Sequence, residues 1–222
     1  MHVVLIANGL TNRGEHSYRL IQEVRRTLVR RGIGCDAYAA RSLDLSIVEE
    51  KLAAPHFKYS LYDSIGPRVP EVLLGMMERR WHAGRRLLSY PAEFLTWKIL
   101  NRSFRRDLEA LPPDRCTADQ LLVITAVCQN QLSGVIDFMR ARPLKSLPYI
   151  VCQLMFLPNW TPWEGSAQFG DAYYREAFQK ASPFIGRKLF FTTENHPIAK
   201  IYRERYGIHA KILPVPLAIS RF

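Results

Sequence analysis

Glycines and polar side chains follow the first apolar run of the sequence, residues 3–7. Gly9 and Gly14 would let the backbone turn tightly and approach a ligand closely. The N-terminus of a following helix presents free N–H groups suited to phosphate or sugar hydroxyls. Further donors in this loop are Asn8, Asn12, Arg13 and His16. The spacing is not G-x-G-x-x-G, so the NAD-type fingerprint is absent. The loop predicts a ligand site, or an ordinary strand–helix turn that needs glycine.

Three later loops carry amides, hydroxyls, a carboxylate and tryptophans, after apolar runs at 121–127, 149–156 and 189–193. Amides at 129–131 both donate and accept hydrogen bonds, as sugar hydroxyls require. Tryptophan faces suit the C–H surface of a sugar ring or a lipid-linked headgroup, and Glu194 could bind hydroxyls or act as a base. The candidate ligand-binding residues here are Thr125, Gln153, Trp160, Glu194 and Asn195. The structural alternatives are helix caps and a proline-stiffened loop.

Residues 76–106 interleave arginines with large apolar side chains. Basic residues beside Trp, Leu and Phe on helices are typical of proteins that lie on an anionic membrane surface. The predicted membrane-surface residues are Arg79, Arg80, Arg85, Arg86, Trp97 and Arg102. The alternatives are a solvated arginine-rich face over a local core, or RNA binding, for which no recognition motif is present.

The composition narrows the class of protein and its partners. The 222 residues carry a formal net charge of +11, which favours an anionic partner: nucleic acid, an anionic membrane surface or phosphorylated substrates. The four cysteines form no C-x-x-C pair, so we expect reduced, buried thiols, a cytoplasmic protein and no zinc site. No apolar run approaches the roughly 20 residues of a membrane span, and we expect no signal peptide.

Strand-like and helix-like patterns alternate on both sides of a less regular middle. Predicted strands lie at 3–7, 35–40, 121–127, 149–156, 189–193 and 211–213. This alternation predicts an α/β fold with a doubly wound, mainly parallel sheet. We expect one domain over 1–222, with residues 43–113 as a helical elaboration on the sheet edge. Ligands of such sheets bind outside the carboxyl ends of the strands, so the loops above should share one rim.

The order of several short stretches resembles one family. The stretches are residues 3–7 with Gly9, Gly14 and His16; Arg31-Gly32; 119–125 with 132–135; and 191–195 with 201–202, 206–208 and 212–216. Together they resemble the Rossmann-like N-terminal domain of family-4-like GT-B glycosyltransferases. The resemblance covers the predicted sheet and leaves the middle of the chain uncovered.

The resemblance implies glycosyl transfer from a nucleotide sugar, with retention of configuration, in a setting such as polysaccharide biosynthesis. This domain would bind a glycan or lipid-linked acceptor. The residues expected to bind the acceptor are Asn8, Asn12, Arg13, His16, Thr125, Gln153, Trp160, Glu194 and Asn195. Gly9 and Gly14 would approach the donor phosphates, and no metal or other cofactor would be required. Many relatives carry a His at the end of the fifth strand, where this sequence has Gln153 and Leu154. No catalytic base is therefore evident at that position.

The resemblance also implies that the nucleotide sugar binds a second domain, and the sequence stops at Phe222, just after the expected crossing into it. We expect the donor-binding domain to be absent and the chain to be inactive alone. Two alternatives stay open: a non-catalytic, membrane-associated acceptor subunit that recruits a separate donor-binding chain, and a nucleotide-binding module. The expected location is cytoplasmic, with peripheral attachment to the inner face of the membrane.

Overall fold

The computed structural model describes residues 2–14, 16–63, 82–160 and 169–213, with only the backbone of residues 16 and 82–92. The strands are β1 (His2–Ala7), β2 (Gly34–Ala40), β3 (Ala54–Phe57), β4 (Leu121–Ile124), β5 (Tyr149–Gln153), β6 (Leu189–Thr193) and β7 (Lys211–Ile212). The α-helices are α1 (His16–Arg30), α2 (Leu45–Glu49), α3 (His82–Glu109), α4 (Gln129–Arg140), α5 (Gly170–Ala181) and α6 (His196–Tyr206). Short 3-10 helices span Pro113–Arg115 and Leu144–Ser146.

The seven strands of the described residues form one parallel sheet in the order β3-β2-β1-β4-β5-β6-β7. The predicted α/β fold class with a doubly wound sheet is thereby confirmed. Strand β1 lies centrally, and its residues from Val3 to Ala7 are buried on both faces because helices cover both sides. The chain runs outward from β1 in one direction to β3, and from β4 in the other direction to β7.

Right-handed crossovers determine which face each helix covers. The smaller core joins α1 and α2 to one face through side chains such as Ile21 and Ile47. The larger core joins the opposite face to α3, α4, α5 and α6, with Phe104, Ile136 and Tyr202 among its buried residues. Reversal of the winding direction between β1 and β4 therefore places the helices of the two halves on opposite faces.

The face that carries α1 stays partly open over the far half of the sheet. Tyr149 of β5 and Phe190 of β6 are 43% and 37% exposed, and Val151 between them is half-buried. Their neighbours Ile150, on β5, and Phe191, on β6, point to the opposite face and are buried. The strict alternation follows from the two-residue period of a strand.

The middle of the chain contains more than the predicted helical elaboration. Strand β3 pairs with β2 at the sheet edge, a position where Pro55 is tolerated because an edge strand can lack one ladder donor. The sequence does not predict strand β3, because its four residues include Pro and His and show no alternation of polar and apolar side chains. Helix α3 packs on one face of the sheet and reaches the edge strand: Phe104 stacks on Phe57 of β3, with 5.0 Å between ring centroids.

Strands β4 and β5 end earlier than predicted, at Ile124 and Gln153, because the apolar runs continue into buried loops. Among the described helices, including the 28 residues of α3, none combines the length and apolar composition needed to cross a membrane.

Candidate functional site

The turn after β1 is packed against the chain itself. The Leu10 amide donates to the Ala7 carbonyl at 2.8 Å, and the Leu61 amide, from the loop after β3, donates to the Asn8 carbonyl at 3.0 Å. A Cβ added to Gly9 would lie 3.3 Å from the Leu61 side chain. The close approach that Gly9 permits is therefore made by Leu61, and contact of Gly9 with donor phosphates stays a prediction.

The outer part of the same loop is exposed and bends toward the end of α2. The Gly14 amide donates to Oδ1 of Asn12 at 2.9 Å. Arg13 forms an ion pair with Glu50, which also accepts a hydrogen bond from the Tyr18 hydroxyl at 2.9 Å. An anionic ligand at Arg13 would have to compete with Glu50. Nothing is described for the side chain of His16, the remaining predicted residue of this loop.

Asn8 is only 1% exposed, and neither Oδ1 nor Nδ2 has a hydrogen-bond partner among the described residues. It lines a cavity of about 10 Å³ together with Ser60, Asp107 and Gln131. That volume admits one water molecule and excludes a sugar ring. Burial raises the pKa of the Asp107 carboxyl in the same wall, although the Lys58 amide hydrogen bond opposes the shift. Asn8 thus faces a small cavity, and its contact with an acceptor stays a prediction.

The first turn of α4, after β4, presents buried amides at the rim. Gln129 donates from Nε2 to the Trp160 carbonyl at 2.8 Å, while its Oε1 has no partner among the described residues. Asn130 Nδ2 is buried and likewise without a described partner. Gln131 caps the helix, because its Oε1 accepts from the Cys128 amide at 3.3 Å. The hydroxyl of the predicted residue Thr125 donates to the Ile6 carbonyl at 3.3 Å and so links β4 to β1.

An aromatic pair follows β5. The rings of Phe156 and Trp160 stack nearly parallel, with centroids 3.8 Å apart, and both side chains are half-buried. They pack against Leu61 and Cys128 in a small apolar cluster. The Tyr202 hydroxyl donates to the Phe156 carbonyl at 2.9 Å, so α6 helps to hold this loop.

The end of β6 supplies a hydroxyl and a carboxylate. The Oγ1 of Thr193 and the Oε1 of Glu194 are buried, with no hydrogen-bond partner among the described residues. Oδ1 of Asn195 accepts from the Ile198 amide at 3.0 Å, which makes Asn195 the N-cap of α6. At the neighbouring strand, Gln153 is buried and its carbonyl accepts from the Val127 amide at 3.0 Å.

Two of the predicted membrane-surface residues, Trp97 and Arg102, lie on different sides of α3. Trp97 stacks on Tyr173 of α5, with ring centroids 4.6 Å apart and planes 10° apart. Arg102, five residues later, is exposed, about 140° around the helix axis from Trp97. Arg79 and Arg80 lie outside the described residues, as do the side chains of Arg85 and Arg86.

The parallel sheet brings the carboxyl ends of β4, β5 and β6 side by side, since adjacent strands lie about 4.8 Å apart. We call the polar and aromatic groups on these ends the acceptor rim, after the acceptor binding that the sequence resemblance predicts: Gln129, Asn130, Phe156, Trp160, Thr193 and Glu194. Among these, Gln129, Asn130 and Thr193 carry weak sequence signals, because amides and hydroxyls next to strands are common in caps. The described residues contain no group of three or more His, Cys, Asp or Glu side chains arranged to hold a metal.

Comparison of the chain with protein-family models, with curated proteins and with solved structures found no match.

Proposed function

We propose that this chain is the acceptor-binding half of a glycosyltransferase that transfers a sugar from a nucleotide sugar to a glycan or lipid-linked acceptor. The resemblance of the sequence to GT-B N-terminal domains motivates the reaction class. The parallel sheet is compatible with it, because such sheets bind ligands at the carboxyl ends of their strands. A fold alone does not define chemistry, so the proposal depends on the acceptor rim.

One observation carries the proposal: unpaired, buried polar groups lie beside an aromatic stack on the acceptor rim. Buried polar atoms in proteins normally have hydrogen-bond partners, and four such atoms here have none among the described residues. Gln129 Oε1 and Glu194 Oε1 can accept from hydroxyls, Asn130 Nδ2 can donate, and Thr193 Oγ1 can do both. A sugar hydroxyl is both donor and acceptor and suits this mixed set.

The aromatic pair supplies the apolar half of sugar recognition. The apolar C–H face of a pyranose can pack on the half-buried Trp160 ring, while its hydroxyls point to the amides after β4. The Gln129–Trp160 hydrogen bond joins the stacking surface to those amides, so the two parts of the site are held in a common position. Preorganisation of this kind reduces the entropy lost when a ligand binds.

The acceptor proposal is tested by binding of an oligosaccharide panel, measured by saturation-transfer NMR and calorimetry. For a glycan that binds, Trp160→Ala should weaken affinity about tenfold, the equivalent of about 1.4 kcal/mol for a lost aromatic contact. Leu157→Ala is the matched control, since Leu157 is exposed in the same loop and lies outside the rim. If the Trp160 variant and the parent bind every glycan with equal affinity, Trp160 does not contact the bound glycan.

The nucleotide-binding alternative gives the opposite pattern. Under the proposal the donor pocket belongs to another domain, so this chain alone should bind nucleotide sugars weakly. Tight binding of a nucleotide sugar, with no glycan binding, would favour a nucleotide-binding module and would contradict the acceptor-half proposal.

A further inference from the structure

The outward surface of α3 combines exposed apolar side chains with cations. Phe94 and Leu95 are 39% and 46% exposed and lie next to each other on a helix whose other side contributes to the core. Toward the C-terminus the same side of the helix carries basic residues. We define the α3 outer face by these residues: Phe94, Leu95, Lys98, Arg102, Arg105 and Arg106.

Helical spacing places these residues together. Their positions recur at intervals of three and four, which is the repeat of one helix face. The opposite side buries Leu100, Phe104 and Leu108 against the core. The α3 outer face is therefore a continuous strip about 18 Å long, at 1.5 Å of rise per residue from Phe94 to Arg106.

The cations of this strip are mostly uncompensated. Arg102 and Arg106 are exposed and have no acidic partner among the described residues, whereas Arg105 pairs with Glu109 at 2.9 Å. Lys98 lies over the Phe94 ring, with Nζ 5.9 Å from its centroid. Arg102, Arg105, Arg106 and Glu109 line an open crevice of about 220 Å³. Four cations against one carboxylate leave a local charge that attracts anions.

We propose that the α3 outer face docks on an anionic lipid bilayer, with α3 lying along its surface. Phe94 and Leu95 enter the boundary between headgroups and acyl chains, and the basic residues contact lipid phosphates. The exposed apolar pair favours a membrane over RNA, because RNA backbones offer no apolar phase for Leu95 to enter. The inference is independent of the proposed glycosyl transfer, since it uses none of the acceptor rim.

In this proposal the aromatic residue that enters the membrane surface is Phe94 and not Trp97. Trp97, predicted from the sequence as a membrane-surface residue, stacks on Tyr173 and is directed toward α5. Phe94 lies one turn of the helix before Lys98 and takes its place on the outer face.

Co-sedimentation of the full chain with vesicles of phosphatidylglycerol and phosphatidylcholine tests the proposal. We expect binding that grows with the phosphatidylglycerol fraction and weakens as salt is raised. Arg102→Gln/Arg106→Gln should reduce the partition coefficient about 25-fold, at about fivefold for each cation removed from the surface. The matched control is Arg30→Gln/Arg31→Gln, which makes the same change in net charge at two exposed arginines near the end of α1. The control should retain most of the binding.

The double substitution Phe94→Ser/Leu95→Ser measures the contribution of the two apolar side chains to vesicle binding, separately from that of the cations. This variant should bind vesicles more weakly at every salt concentration while keeping the salt dependence of the parent. Circular dichroism confirms that each variant is folded. Equal losses in the Arg102/Arg106 variant and the Arg30/Arg31 control would overturn the docking face. Absence of vesicle binding by the parent protein would also overturn the proposal. The same holds if the parent binds single-stranded RNA and does not bind vesicles.

Discussion

At Gly134 the backbone of α4 lies directly against that of α3, and a single methyl group there should force the two helices apart. A Cβ at Gly134 would lie 2.4 Å from the Asn101 carbonyl oxygen and 3.2 Å from the Arg105 nitrogen. Both are backbone atoms, which a rotamer change cannot move. The Gly134 amide also donates to Asn101 Oδ1 at 2.8 Å, a bond that holds the two helices together.

The expected cost of Gly134→Ala follows from these contacts. Overpacking of a tight interface costs up to about 3 kcal/mol, and loss of the hydrogen bond to Asn101 adds about 1 kcal/mol. Alanine recovers about 1 kcal/mol through its greater helix propensity. The free energy of unfolding should therefore fall by about 2–3 kcal/mol, which lowers Tm by about 4–12 °C in a domain of this size.

Urea and thermal unfolding followed by circular dichroism measure this loss. Ser133→Ala is the control, because Ser133 is half-buried in the same helical turn and should show only the small propensity gain. The displacement should also reach the acceptor rim, since Asn101 Nδ2 donates to the Gln129 carbonyl at 2.9 Å. A Gly134→Ala protein as stable as the parent would refute the packing of α3 on α4.

Four further substitutions examine other parts of the fold. Phe191→Ala should destabilise the protein by about 3–5 kcal/mol and Phe190→Ala by less than about 1 kcal/mol, because these neighbours in β6 lie on opposite faces; similar losses in urea unfolding would contradict the register. Asn195→Ala should cost about 1 kcal/mol through loss of the α6 cap, and an unchanged Tm would show that the cap is unimportant. The Tyr206 hydroxyl hydrogen bond, at 2.7 Å, lowers the pKa of Asp171. Its stabilising contribution is therefore present at neutral pH and lost as the pH falls through the folded-state pKa. Asp171→Asn should weaken the acid-induced loss of Tm, and an identical pH profile would argue against that bond.

Local patterns in the sequence were sufficient for most elements of the sheet. The apolar run at 189–193 coincides with β6, and the stripe Leu132, Val135, Ile136 and Met139 lies buried along α4. Gly32 and Gly207 follow the ends of α1 and α6, and both adopt left-handed backbone with φ of 70° and 69°, as glycines that end helices commonly do. These features depend on neighbouring residues, so they are visible without the rest of the chain.

The candidate site was only partly predictable. The sequence located the loops after the strands, and the parallel topology brings their ends to one edge. It did not indicate that Leu61 packs on Gly9, or that the amides of Gln129 and Asn130 remain unpaired. Glycine in a strand–helix turn has the same local signature whether a ligand or the chain itself approaches it.

The sequence by itself determined the parallel α/β class, because runs of apolar residues separated by amphipathic helices can bury both sheet faces only in that way. Only the tertiary structure decided which polar groups lack partners and which side of α3 faces outward. Trp97 and Phe94 are both aromatic residues in one basic helix, and the difference between them arises from Tyr173, 76 and 79 positions away along the chain. Contacts over such separations leave no periodic trace in the sequence, and they determine which residues remain available to a ligand or a membrane.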